Sequence, residues 1–221
     1  MVGAEPGRAV TEVDDVVDVV FGLDGRAVAL DYADRLWREL VERLAWLGDE
    51  PGAGVHPLAG VSAGGLELYL TRRARLAVRL NGLRAGAVGA LAGHRLDLGG
   101  EVRIGPASQR RLSPATVLYS SFVSVGETDE SRFLAHCRDG LATLGVRAPQ
   151  LVCGKARRSV GRDGEWRGFS LMIAGLGPED SLAIQRTGIG GERGRGCGIF
   201  VPHKSIAAVG EAWIQSSEKE T

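Results

Sequence analysis

The chain has little lysine, few aromatic residues and no long apolar run. Only Lys155, Lys204 and Lys219 are lysines, against 24 arginines. A surface whose cations are almost all guanidinium forks suits bidentate contact with phosphate, although a GC-rich genome would produce the same bias without any function. No stretch approaches the ~18 apolar residues of a membrane span. The opening MVGAEPGRAVTEVDD lacks the apolar core of a secretory signal. Cys137, Cys153 and Cys197 are an odd number in a chain of 221 residues. They argue against a disulfide framework and for a reducing, cytoplasmic compartment.

Other absences narrow the chemistry. There is no C-x-x-C; His136 and Cys137 are adjacent, and Cys197 and His203 are six apart, so no zinc spacing exists. Inert, buried thiols are expected, and His94 is read as an isolated surface residue. No Gly-Lys-Ser/Thr follows a glycine-rich turn, which excludes a Walker loop. No metal and no small-molecule cofactor are therefore expected.

Glycine is abundant: 33 residues, about twice the usual ~7%. The net charge is zero but unevenly spread. Residues 1–50 carry −7, residues 51–150 carry +5, residues 151–206 carry +4 and the remainder −2. An acidic start before a basic body fits an anionic partner on one face, unless the segments intermingle on folding.

The hydrophobic pattern divides the chain near Ser113-Pro114, giving expected domains 1–112 and 113–221. In the first, a valine-rich strand (13–21) precedes a helix from Tyr32 to Leu47, with Asp31 as its cap. Strand-like stretches follow at 55–58, 66–70 and 76–80, then a short helix over 83–92. A Gly99-Gly100 hairpin closes this half, joining 95–98 to 102–104. In the second, strand 117–125 leads to a helix over 129–144 capped by Thr128. A hairpin of 151–160 and 166–174, a Pro178-initiated helix to Thr187 and a last strand 199–201 complete it. Each half thus reads strand–helix–strand–strand–helix–strand: an α+β protein of two tandem ferredoxin-like domains.

Between the last helix and strand stands GIGGERGRGCGIF. Its glycines bring backbone close to a partner and expose N–H groups; Arg193 and Arg195 add guanidinium contacts. A dinucleotide fingerprint fails, because the loop follows a helix and its spacing is not G-x-G-x-x-G. Contact with a phosphate backbone is the stronger reading, and a flexible turn the weaker.

This segment resembles the glycine-rich loop of the CRISPR-associated endoribonucleases that cut precursor CRISPR RNA within its repeats. GVHPLAG resembles the family's histidine-bearing segment, DYADRLWREL its first helix, and GPEDSLAIQRTGIGG the approach to the loop. The likeness spans most of the chain in order. It implies two ferredoxin-like domains, metal-independent cleavage by 2′-OH attack, and His56 as a catalytic residue. Tyr32 is either a second catalytic residue or a half-buried aromatic at a helix start. Lys204, with His203, is either a phosphate contact or a solvated flank.

RNA contact is expected from Gly188, Gly190, Gly191, Arg193, Gly194, Arg195 and Gly196. It is expected also from two arginine runs in matching halves: Arg72 and Arg73 with Arg75 and Arg79, and Lys155, Arg157 and Arg158 with Arg162. The implied partners are CRISPR repeat RNA, single-stranded or hairpin, and other effector-complex subunits, with no membrane. The alternative is a non-catalytic RNA-binding subunit of such a complex. A small-ligand enzyme or sensor of the same fold would bind RNA weakly.

Overall fold

A computed structural model describes residues 16–146 and 150–204. In β1 (Val16–Asp24), Val17, Val19 and Phe21 alternate with Asp18 and Val20, so the two sets point to opposite faces. All five are buried: both faces of the strand are covered. The strand runs to Asp24; the start of the expected strand, 13–15, lies outside the described residues.

After β2 (Ala27–Ala29), α1 (Tyr32–Arg43) buries Leu36 and Leu40 against the sheet, each worth roughly 1.5–3 kcal/mol. The helix stops earlier than its leucine spacing suggests. Leu44 leaves helical geometry at ψ 74°, and a 3-10 turn, Ala45–Asp49, buries Leu47 instead. Asp31 precedes α1 without a side-chain capping bond.

The first half continues with β3 (Gly54–Val55), β4 (Gly60–Val61), β5 (Glu67–Leu70), β6 (Arg75–Asn81), α2 (Ala85–Gly89), β7 (Arg95–Asp97) and β8 (Glu101–Arg111). Helix α2 is shorter than the expected 83–92, because two of its five residues are glycine, a poor helix former. The Gly99-Gly100 hairpin joins β7 to β8, with Gly99 at φ +79°. β5 and β6, consecutive in sequence, belong to different sheets: β5 pairs with β2 and β4 in a small ribbon.

The second half comprises β9 (Val117–Val123), α3 (Glu130–Thr143), β10 (Gln150–Gly161), β11 (Gly164–Ala174), α4 (Pro178–Thr187) and β12 (Val201–Pro202). Asp129, not Thr128, caps α3: its carboxylate accepts the Arg132 N–H at 3.0 Å. Of the expected last strand only Val201 pairs, continuing to Pro202; Ile199 and Phe200 are buried just before it.

The main sheets run β3-β6-β1-β8-β7 and β10-β11-β9-β12, all pairs antiparallel. Setting β7 aside, each sheet follows the same ferredoxin-like order, with the half's first strand flanked by its third and fourth pairing strands. One apolar cluster gathers residues between Val17 and Ile104, and a second gathers residues between Leu118 and Phe200. The connection between halves is pinned to α4. Gln185 Nε2 donates to Ser113 O at 2.9 Å, and the Ala115 N–H donates to Ser181 Oγ at 2.9 Å. No helix among the described residues is long and apolar enough to cross a membrane.

Candidate active site

His56 follows β3, and its N–H donates to Ala77 O at 2.9 Å, extending the pairing with β6 by one residue. Strand register decides what it meets. Gly54 lies opposite Arg79, Arg79 opposite Asp18, and Asp18 opposite Arg110, so four strands carry one cross-strand row. The His56 imidazole joins it: Nε2 lies 3.0 Å from Asp18 Oδ1. Arg79 grips the same carboxylate with both arms of its fork, Nε to Oδ1 at 2.7 Å and Nη2 to Oδ2 at 3.0 Å.

The third guanidinium nitrogen turns to the other half. Arg79 Nη1 donates to Gln185 O at 3.0 Å and to Phe200 O at 2.7 Å. Arg79 is only 1% exposed, so its charge has no recourse to water. Burial alone would raise the Asp18 carboxyl. Hydrogen bonds from His56 and Arg79, and their charges, outweigh it and hold the group well below the ordinary carboxylate range. Asp18, His56, Arg79, Arg110, Arg111, Ser113, Gln185 and Val201 line a cavity of about 320 Å³ where the halves meet.

The loop bearing His56 is held from two further directions. Tyr32, at the start of α1, accepts the Leu58 N–H on its hydroxyl at 2.6 Å. Burial pushes the phenol up to about 12, so it is a neutral hydroxyl at physiological pH. Pro57 abuts Gly196 of the glycine-rich loop, where a β-carbon would come within 3.2 Å of the ring.

The glycine-rich loop is packed rather than free. Gly188, Gly190, Gly196 and Gly198 all have positive φ, a conformation that side chains resist. Gly194 lies under the Trp37 indole, where a β-carbon would meet the ring at 2.5 Å. The two arginines expected to reach RNA are committed to protein partners. Arg193 donates to Gly52 O from Nη2 at 3.1 Å, and to Gly198 O and Arg186 O at 3.2 and 3.1 Å. Burial, helped by the nearby Arg79 charge, brings its pKa down to about 10.

Arg195 pairs with Asp34, Glu192 and Asp163 at 2.8, 2.6 and 2.8 Å, and stacks on Trp166. Asp34, on α1, also receives Arg38 Nε and the Arg162 N–H, both at 3.2 Å. Burial would raise Asp34, but Arg195, Arg162 and Arg38 together keep it below its ordinary value. The loop therefore joins α1, the His56 segment and the β10–β11 turn.

The remaining expected residues are dispersed. Lys204 is exposed two residues beyond Pro202, which lines the cavity, and His203 packs its ring 5.5 Å from that of Tyr119. Arg72 and Arg73 sit in the exposed turn before β6, remote from Arg79, which is buried and not available to phosphate. Lys155, Arg157 and Arg158 lie on the exposed edge strand β10. Arg157 Nε donates to Ser121 O at 3.2 Å, and Arg158 pairs with Glu165 at 2.8 Å. Arg158 and Arg167 hold the Glu165 carboxyl down to about 2.

Asp18 and Arg110 are the site residues that sequence reasoning did not assign, and Arg79, grouped there with the RNA-contacting arginines, is instead buried behind the histidine. The available signal was a charge inside each of two apolar strands, VVDVV and LAVRL. Such a charge is seldom buried unless paired.

Two ferredoxin-like units with a histidine cleft between them define the class. Solved structures share the fold. The product of a Cas6-related gene from Pyrococcus furiosus superposes with TM-score 0.64 at 13% identity, covering 86% of this chain and 99% of that one. Thermus thermophilus Cse3, bound to an RNA representing a pre-cleavage complex, has TM-score 0.50 at 17% identity, covering 84% of this chain and 98% of that one. A family model described as Cas6 Crispr matches residues 17–205. The CRISPR-associated endonuclease Cas6 of Myxococcus xanthus is 35% identical over 202 residues, 87% of this chain and 84% of that protein. The chain belongs to the Cas6 family of CRISPR-associated endonucleases.

Proposed function

We propose that this protein is an endoribonuclease that cuts precursor CRISPR RNA within its repeats without a metal. In this reading the 2′-OH attacks the adjacent phosphate in line, leaving a 2′,3′-cyclic phosphate and a 5′-OH end. The observation that carries it is His56 on Asp18 at 3.0 Å, in a cavity walled by Arg110 and Arg111 where the halves meet. An imidazole titrates near neutrality, so it can take the 2′-OH proton or supply one to the leaving 5′-oxygen. The wall cations oppose the charge that gathers on the phosphate. Asp18, the carboxylate at the site, already accepts from His56 and Arg79, which suits orientation better than metal ligation. The M. xanthus relative, named an endonuclease, and a relative's complex with pre-cleavage RNA support the substrate class.

One histidine cannot serve both proton transfers in a single step. Tyr32 accepts the Leu58 N–H and keeps its own O–H proton, so it and the exposed Lys204 are the candidates for the second transfer. The test is incubation with the repeat RNA of the source genome in EDTA, with mapped ends. Cyclic phosphate ends and loss of about 10²–10⁴ in rate for His56→Ala, at unchanged affinity, are expected. Cleavage abolished by EDTA and restored by magnesium, or wild-type cutting by the variant, refutes it.

A further inference from the structure

We infer that Asp18 is a positioning residue that fixes the tautomer of His56, and that Arg79 makes this state depend on docking of the second half. The inference rests on the reading of His56 given above and adds the device that sets it. An ionised carboxylate only accepts hydrogen bonds. With Asp18 Oδ1 at 3.0 Å, the neutral imidazole carries its proton on Nε2, and Nδ1 becomes the nitrogen that exchanges protons with RNA.

Asp18 cannot turn away, because both its oxygens are held by the Arg79 fork. Arg79 is fixed in turn by two carbonyls of the second half, Gln185 O and Phe200 O. A buried guanidinium needs all these acceptors at once, and one relative placement of the halves supplies them. The charged groups around His56 are Asp18 from β1, Arg79 from β6, and Arg110 and Arg111 from β8; α4 and the approach to β12 contribute Gln185 and carbonyls.

In Asp18→Asn, the amide either keeps oxygen toward His56 and loses the charge, or turns its NH₂ to Nε2 and reverses the tautomer. The first measurement is made on the wild-type protein. Long-range ¹H–¹⁵N correlation on the RNA-free protein, with His56 assigned through His56→Gln, should show the neutral ring protonated at Nε2. Protonation at Nδ1 overturns the inference.

The second is single-turnover cleavage of repeat RNA against pH. Asp18→Asn should lose about 10²–10⁴ in rate with unchanged RNA affinity and a changed pH–rate profile. Arg79→Lys, which keeps the charge without the fork, should move in the same direction. A wild-type rate and pH profile in Asp18→Asn, with His56→Ala inactive, refutes positioning and leaves the cleavage reading standing. A wild-type rate in His56→Ala refutes cleavage by His56 and leaves the tautomer to the spectrum. If Asp18→Asn fails to fold, the wild-type spectrum decides.

Discussion

Gly190 and Gly191 are neighbours in the glycine-rich loop, both exposed, and alanine should affect them oppositely. Gly190 has φ +80°, and a β-carbon there would run into Ser124 O. That carbonyl accepts the Gly191 N–H at 3.0 Å, so displacing it threatens the bond that ties the loop to the end of β9. The left-handed backbone costs an alanine about 1–2 kcal/mol and the lost hydrogen bond about 1 kcal/mol. Together they destabilise by about 2–3 kcal/mol, or about 4–12 °C in Tm for a chain of this size. Gly191 has open space where its β-carbon would stand. Alanine there should be neutral or slightly stabilising, by up to about 1 kcal/mol, since it narrows the unfolded ensemble. Thermal melts of the RNA-free variants, checked by urea unfolding, test this. Equal shifts for the two variants, or a wild-type melt for Gly190→Ala, would refute the packing argument. If the outer surface of the loop meets RNA, Gly191→Ala shows its effect in repeat-RNA affinity instead.

The loop arginines should separate stability from salt dependence. Arg193→Ala should lower Tm while leaving the slope of log affinity against log salt unchanged, because its guanidinium already serves Gly52, Arg186 and Gly198. A slope reduced by about 0.7–0.9 would mean that it contacts a phosphate after all. Acid should weaken the junction between halves. The Asp18 pKa is depressed in the folded state, so its contribution is complete above the unfolded value near 3.8 and lost as pH falls toward the folded one. Asp18→Asn should flatten stability against pH below about 4, and an acid limb unchanged from wild type counts against this. Burial pushes the Cys137 and Cys197 thiols up to about 12. Both should resist a thiol reagent at pH 8 until urea unfolds the chain, and rapid labelling of either in the native state contradicts their burial.

Periodicity made most elements legible. The leucines of α1, the proline and acids that open α4, and the Gly-Gly turn of β7–β8 are local signals, and local geometry follows from them. Element ends were harder. Whether α1 continues past Arg43 is decided by Leu47 turning into the core, a tertiary event that spacing alone does not record. At the site, His56 was visible because it stands in a recognisable segment. Its partners were not, since Asp18 and Arg110 lie 38 and 54 positions away and are brought level only by strand register. The arginines of the glycine-rich loop were ambiguous for a related reason. A guanidinium fork suits phosphate, but it suits carbonyl and carboxylate oxygens equally, and only the fold shows which are within reach.

The choice of groups at the junction carries an argument of its own. A buried ion pair is seldom more stabilising than well-packed apolar side chains of the same volume, so stability alone does not account for Arg79 and Asp18. Apolar contacts tolerate small sliding between surfaces. The Arg79 fork does not: it must meet two carboxylate oxygens in its own half and two carbonyls in the other. A shift of about 1 Å would break hydrogen bonds whose loss, in a buried site, costs about 1–3 kcal/mol each or more. The same shift would move the carboxylate on which His56 rests. The in-line attack proposed above would need the proton-exchanging nitrogen placed within such a tolerance, and the ionic junction gives the two halves a single register in which the imidazole can be so placed.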